Sequence, residues 1–95
     1  MDQLAGSVVL ITGGSKGIGR AAAFRLASLG CKVAICARDS GALQSTEAEL
    51  KIKSRNILAR SADVTNAADV QLWVDTVLDK WGRIDIVINN AGVMR

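Results

Sequence analysis

Ninety-five residues make one small domain, and 49% apolar with 22% charged content and a formal net charge of +3 fits an ordinary globular chain. There is no histidine and no tyrosine, which removes the commonest general base and the phenolic acid of many active sites. No run approaches the roughly 20 apolar residues that cross a bilayer, and the N-terminus makes a poor signal peptide, with Asp2 in place of a basic region and only Val8–Ile11 as an apolar run.

The first predicted element is a strand over Val8–Thr12. A glycine-rich turn follows, and then a helix to Leu29 with Ile18, Ala22, Leu26 and Leu29 on its inward stripe. Gly30 supplies the left-handed position that ends it. The second strand covers Lys32–Ala37. Cys31 and Cys36 lie in or beside it at an odd separation, which sends their side chains to opposite faces and makes a bridge between them unexpected. Two free thiols suit a reducing compartment such as the cytoplasm. Ser40 is the expected cap of a second helix with Leu43, Leu50 and Ile52 inward.

A third strand covers Asn56–Ser61. The third helix starts near Asn66, with Asp69 three residues on in a capping-box-like arrangement. Its stripe reads Val70, Trp73 or Val74, Val77 and Trp81, and both tryptophans are read as core. The fourth strand covers Ile84–Asn89. The first, second and fourth strands are nearly continuous apolar runs, as strands covered on both faces should be.

Strand and helix alternate with short connections, which requires parallel pairing through right-handed crossovers. The expected fold is α/β: a Rossmann-type doubly wound parallel sheet of four strands in the order 3-2-1-4, with three helices, forming one domain over residues 1–95. Such sheets normally continue, so the fold is expected to be truncated, with Ile84–Asn89 as an apolar edge. Lys51, Lys53, Arg55 and Arg60 form the densest basic stretch. They read either as a nucleic-acid patch or as cations complementing a helix C-terminus. With no aromatics interleaved the second reading is preferred, so neither nucleic acid nor membrane is expected as a partner, and no metal site is expected.

The turn is Thr12-Gly13-Gly14-Ser15-Lys16-Gly17-Ile18-Gly19. It leaves the first strand and opens the first helix, the context in which a glycine cluster binds a dinucleotide. Gly13 permits the tight turn, Gly17 lets the backbone approach a pyrophosphate, and Gly19 lets helix and strand pack closely. The N–H groups of the helix start then face the anion, aided by the helix dipole. A P-loop would need G-x-x-x-x-G-K-[ST], whereas Lys16 here stands between Ser15 and Gly17.

The spacing G-x-x-x-G-x-G, with Ile18, resembles the T-G-x-x-x-G-[IL]-G turn of the short-chain dehydrogenase/reductase family. Three more stretches match that family in order and spacing. Asp63-Val64 looks like its adenine-contacting pair, and Asp85 matches the acidic residue that begins its fourth strand. Asn89-Asn90-Ala91-Gly92 looks like its N-N-A-G motif, which lies against the adenosine ribose. Taken singly, Asp63 serves equally as a loop cap, Asp85 as a solvated strand-end charge, and Asn-Asn-Ala-Gly as a turn. Together the four span essentially the whole chain.

The resemblance implies cofactor contacts from Gly13, Ser15, Lys16, Gly17, Ile18, Gly19, Arg38, Asp63, Val64, Asn90, Ala91 and Gly92. An NAD-selective site ends its second strand in Asp or Glu. Here Ala37 stands there, Arg38 follows, and Lys16 lies inside the turn. This is similar to the NADP(H)-preferring branch, so NADP(H) is the expected cofactor. Arg pairs bidentately with phosphate while Lys acts as a point charge. The family transfers a hydride between nicotinamide and a carbonyl or alcohol. Its tyrosine acid/base, the lysine four residues on, a serine and an asparagine are expected beyond Arg95. Tyr-x-x-x-Lys cannot occur in a chain without tyrosine, so no catalytic residue is assigned and the 95 residues alone are expected to be inactive. A small-molecule substrate is expected only with that later part, and oligomeric state is left open. The alternative is a non-catalytic module that holds nucleotide or pairs its open sheet edge with another chain.

Overall fold

The computed structural model describes residues 4–90. The strands β1 (Val8–Thr12), β2 (Lys32–Ala37), β3 (Ile57–Ser61) and β4 (Ile86–Asn89) alternate with the helices α1 (Gly17–Ser28), α2 (Ser40–Lys53) and α3 (Ala67–Trp81). All pairings are parallel and the order is β3-β2-β1-β4, as the sequence predicts. Thr12 is level with Cys36 on one side and Asn89 on the other, so three strands end together at one rim of the sheet.

Every residue of β1 is buried, because the sheet is covered on both faces at its centre. Val9, Ile11, Val33 and Ile35 point to the side of α1 and α2, whereas Val8, Leu10, Ala34 and Cys36 point to the side of α3. Burying one such large side chain contributes about 1.5–3 kcal/mol. Cys31 joins the first cluster and Cys36 the second, so the two side chains lie on opposite faces and are not bridged to each other.

The rotation of α1 differs from the expected one. Gly19, Ala23 and Ala27 are buried, while Ile18 is 79% exposed. In an alanine-rich helix two neighbouring stripes have nearly equal apolarity. The one that faces the sheet is the stripe of small residues, which lets the helix axis come closer. Ala22, Phe24 and Leu26 pack beside it, half-buried.

Asp39, not Ser40, caps α2, its Oδ1 accepting the Ala42 N–H at 3.1 Å. Leu43 and Leu50 are buried as expected, but Ile52 is 84% exposed. Two residues beyond Leu50 is about 200° around the helix, which puts Ile52 on the outer face. Asn66 caps α3 by accepting from Ala68 and Asp69. The reciprocal half of the capping box is absent. The Asn66 N–H already donates to the Asp63 carbonyl at 2.9 Å, and the Asp69 carboxylate accepts the Asp63 N–H instead. Trp73 and Val77 are buried, whereas Val70, Val74 and Trp81 are half-buried.

The third and fourth strands begin one and two residues later than predicted, at Ile57 and Ile86. Nor is β4 covered on both faces among the described residues. Ile86 and Ile88 pack on the α1 side, while Val87 is 60% exposed on the other. Beside Val87 an apolar groove of about 280 Å³ runs along α3, lined by Val64, Val70, Trp73 and Val74. No helix among the described residues is long and apolar enough to cross a membrane.

Candidate functional site

At the rim where β1 ends, the glycine turn is stitched to β2. The N–H groups of Gly13 and Gly14 both donate to the Cys36 carbonyl, at 2.8 and 3.3 Å. Gly13 adopts φ +70°, the left-handed conformation that the tight turn needs. From the other side, the Thr46 hydroxyl of α2 donates to the Ser15 carbonyl at 3.3 Å. Turn, strand and helix are thereby held as one piece.

Gly19 marks the closest approach. A Cβ there would run into the Gly13 carbonyl and come within 2.9 Å of Asn90 Nδ2. That same Nδ2 donates to the Gly13 carbonyl at 3.4 Å, and the Thr12 hydroxyl donates to Asn89 Oδ1 at 3.0 Å. The end of β4 thus fixes the floor of the turn. Asn90 is a supporting residue here, and its neighbours Ala91 and Gly92 lie outside the described residues.

Lys16 stands at the N-cap of α1 in extended backbone, its side chain makes no capping bond, and no acidic residue occupies the first turn. The first-turn N–H groups have no intrahelical acceptor, and the positive end of the helix dipole is uncompensated. A Cβ on Gly17 would meet nothing within 4 Å. Among the described residues no atom stands in front of Gly17, so an anion can reach the backbone there.

A cleft of about 350 Å³ opens beside the turn, at the carboxyl ends of β1, β2 and β3. Its walls are Gly13, Ser15 and Lys16 from the turn, residues 37–39 after β2, and residues 62–65 after β3. Open α/β sheets bind ligands outside such strand ends. The structure therefore brings Gly13, Ser15, Lys16, Arg38, Asp63 and Val64, all singled out in the sequence, to one cavity. Gly17, Ile18 and Gly19 lie outside its wall, on the adjoining helix start.

Charge in the cleft is balanced. Lys16 Nζ lies 3.8 Å from Asp39 Oδ2, with both side chains more than half exposed. The Ala42 N–H holds the Asp39 carboxyl below the usual carboxylate range, and Lys16 adds to this. Asp63 Oδ1 accepts from the Thr65 hydroxyl at 2.6 Å and the Thr65 N–H at 2.9 Å. Those bonds, with Arg38 nearby, also hold its carboxyl low. Asp63 therefore both lines the cleft and closes its own loop. Beneath the turn, burial pushes the Cys36 thiol up to about 11, so it stays protonated at neutral pH.

Asp85 lies at the other end of the sheet, where its carboxylate accepts the Val8 N–H at 2.8 Å and Arg83 pairs with it at 2.7 Å. It is neither part of the cleft nor an idle surface charge. Sequence reasoning missed Gly14, whose Cβ would collide with the Ile35 side chain, and also Asp39, Thr46 and Thr65. For Asp39 the signal was its place directly after Arg38 and three residues before Ala42.

A sequence model described as short chain dehydrogenase matches residues 7–95. A 3-oxoacyl-[acyl-carrier-protein] reductase of Synechocystis sp. is 42% identical over 100% of this chain, which spans 39% of that protein. A short chain dehydrogenase/reductase of Burkholderia phymatum in complex with NAD superposes with a TM-score of 0.91 at 39% identity, over 98% of this chain and 33% of that one. The L-sorbose reductase of Gluconobacter frateurii, complexed with NADPH and L-sorbose, gives a TM-score of 0.91 at 35% identity, over 100% of this chain and 37% of that one. This chain thus spans less than two-fifths of the length of these relatives.

Proposed function

The chain belongs to the short-chain dehydrogenase family, and on that premise we propose that it is the cofactor-binding portion of an NADP(H)-dependent oxidoreductase. Residues 1–95 form its dinucleotide-binding domain. Its relatives include structures with NAD and with NADPH, so membership alone does not choose between the two. The choice rests on one observation: Lys16 and Arg38 line the cleft together with Ala37, where an NAD-selective site carries a carboxylate.

The residues fit the cofactor. Gly13, Ser15, Gly17, Ile18 and Gly19, at and before the uncapped start of α1, would hold the pyrophosphate, with Gly17 leaving its backbone open to approach. Lys16 and Arg38 would take the 2′-phosphate and Asp63 and Val64 the adenine, with Asn90, Ala91 and Gly92 assigned to the ribose by the family motif they match. When bound, the nicotinamide supplies the hydride that reduces a carbonyl or accepts one from an alcohol. This chain's part is to bind and orient it, since neither tyrosine nor histidine is present to move the proton. Two buried cysteines on opposite faces of the sheet, not bridged to each other, support a reducing, cytoplasmic setting.

Fluorescence titration of the 95-residue chain with NADPH and NADH tests the reading. NADPH is expected to bind at least about tenfold more tightly than NADH, with Arg38→Asp abolishing the difference, since one charge-assisted bond to phosphate is worth about 1.5–3 kcal/mol. Equal affinity for the two, or an Arg38→Asp variant that keeps the difference, overturns it.

A further inference from the structure

We infer that Thr46 is a positioning residue for the phosphate turn, one that sets affinity for the pyrophosphate of a dinucleotide from the far side of the backbone. The inference rests on the proposed dinucleotide reading and adds a residue of α2 to it. The buried stripe of α2 runs Leu43, Thr46, Leu50, so a hydroxyl stands where an apolar side chain would serve the core. Thr46 is 2% exposed. A buried hydroxyl is costly unless it finds a partner.

Helical hydroxyls commonly bond back to the carbonyl four residues earlier. The Ser28 hydroxyl donates to the Phe24 carbonyl in this way at 2.9 Å, and Thr76 to the Leu72 carbonyl at 2.7 Å. Thr46 instead leaves its own helix and donates to the Ser15 carbonyl, 31 positions away, at 3.3 Å. Among the described residues no backbone N–H donates to that carbonyl, so the Thr46 hydroxyl is what satisfies it. The peptide joining Ser15 to Lys16 is planar and trans, so its N–H points opposite to its carbonyl. Drawing the carbonyl toward α2 therefore turns the Lys16 N–H away from α2. Among the described residues that N–H has no acceptor, and Ser15 and Lys16 both line the cleft. Thr46 touches no ligand itself. It holds the turn so that an anion meets an N–H already aimed, rather than one that binding must order.

The experiment compares the 95-residue chain with Thr46→Val and Thr46→Ala, which lose the hydroxyl, and with Thr46→Ser, which keeps it. Each is checked for folding by circular dichroism. Dissociation constants are measured for NADPH, NADH and adenosine 2′-monophosphate, which has no pyrophosphate. Thr46→Val and Thr46→Ala are expected to bind both dinucleotides about three- to tenfold more weakly, with the NADPH-to-NADH ratio and the monophosphate affinity within about twofold of the parent. Thr46→Ser is expected to stay within about twofold of the parent for all three ligands. The two variants without a hydroxyl differ in volume, so packing damage would separate them while the lost bond would not. Unchanged dinucleotide affinity in a folded Thr46→Val or Thr46→Ala overturns the inference and leaves the cofactor reading intact. So does an equal loss for the monophosphate, or a Thr46→Ser variant as weak as Thr46→Val. A parent chain that is folded but binds neither dinucleotide overturns both readings.

Discussion

Asp85 and Val8 are joined in both directions: the Asp85 carboxylate accepts the Val8 N–H at 2.8 Å, and the Asp85 N–H donates to the Val8 carbonyl at 2.9 Å. This pair ties the start of β1 to the segment leading into β4, away from the cleft. The Val8 N–H, then Arg83, hold the carboxyl below its ordinary value. A carboxyl with a lower pKa in the folded than in the unfolded state contributes stability that is present above about pH 4 and lost as pH falls through the folded value. Asp39 and Asp63 are shifted in the same direction. Urea melts between pH 7 and pH 2 are therefore expected to show stability falling below about pH 4. Asp85→Ala is expected to lower the midpoint at pH 7 and to flatten that fall in part, leaving the share of the other two acids.

Gly17 and Gly19 are expected to respond to an added methyl group for different reasons. Gly19→Ala puts a Cβ against the Gly13 carbonyl, a backbone atom that cannot move aside cheaply, and should cost about 1–3 kcal/mol of stability in denaturant melts. Gly17→Ala meets no protein atom and pays only for its left-handed φ of +55°, about 1–2 kcal/mol. Its main effect should be on nucleotide binding, raising the NADPH dissociation constant roughly tenfold, the worth of one charge-assisted hydrogen bond.

Leu50 and Ile52 lie two residues apart on one helix but in different surroundings, one fully buried and the other 84% exposed. Leu50→Ala should cost about 2–5 kcal/mol. Ile52→Ala should stay within about 0.5 kcal/mol of the parent. Paired urea melts would show a reversed order if α2 were rotated.

The 95-residue chain should consume no NADPH when offered ketones and aldehydes, even at saturating cofactor, because it has no tyrosine or histidine to donate the proton. Absorbance at the nicotinamide band over hours checks this. Turnover above a no-protein control would mean that another group supplies the proton.

Most of the architecture was legible because strand and helix periods are global signals. Four apolar runs separated by amphipathic stretches leave few topologies, the crossover rule fixes their hand, and the nucleotide-binding pattern gives their order. What escaped was local choice between near-equals. Ile18 and Ala22 or Gly19 and Ala23 both make a plausible stripe, and only contact with the turn selects the second. Asp39 and Ser40 both cap well, and backbone conformation chooses between them. Asp69 fitted a capping box, yet its partner's N–H had already been taken by the Asp63 carbonyl. In the site, Gly13, Ser15, Lys16, Arg38, Asp63 and Val64 could be picked out because the resemblance to the family marks them, whereas the cleft-lining Asp39 and Thr65 escaped. The ion pair of Lys16 with Asp39 could not be picked out, because it joins two loops brought together only by the sheet.

The position of β1 has a consequence for how the chain acquires its shape during synthesis. This strand is made first, yet both its neighbours come later, β2 from residue 32 and β4 from residue 86. The contacts that set the floor of the phosphate turn, Thr12 to Asn89 and Gly13 to Asn90, each span 77 positions. A ribosome that has released only the first half of the chain can offer β1 one edge and no floor. Non-local parallel pairings of this kind form slowly and leave apolar strands unprotected meanwhile. The turn that is written earliest is completed last, and a nascent chain should gain resistance to protease across Val8–Thr12 only once β4 has emerged.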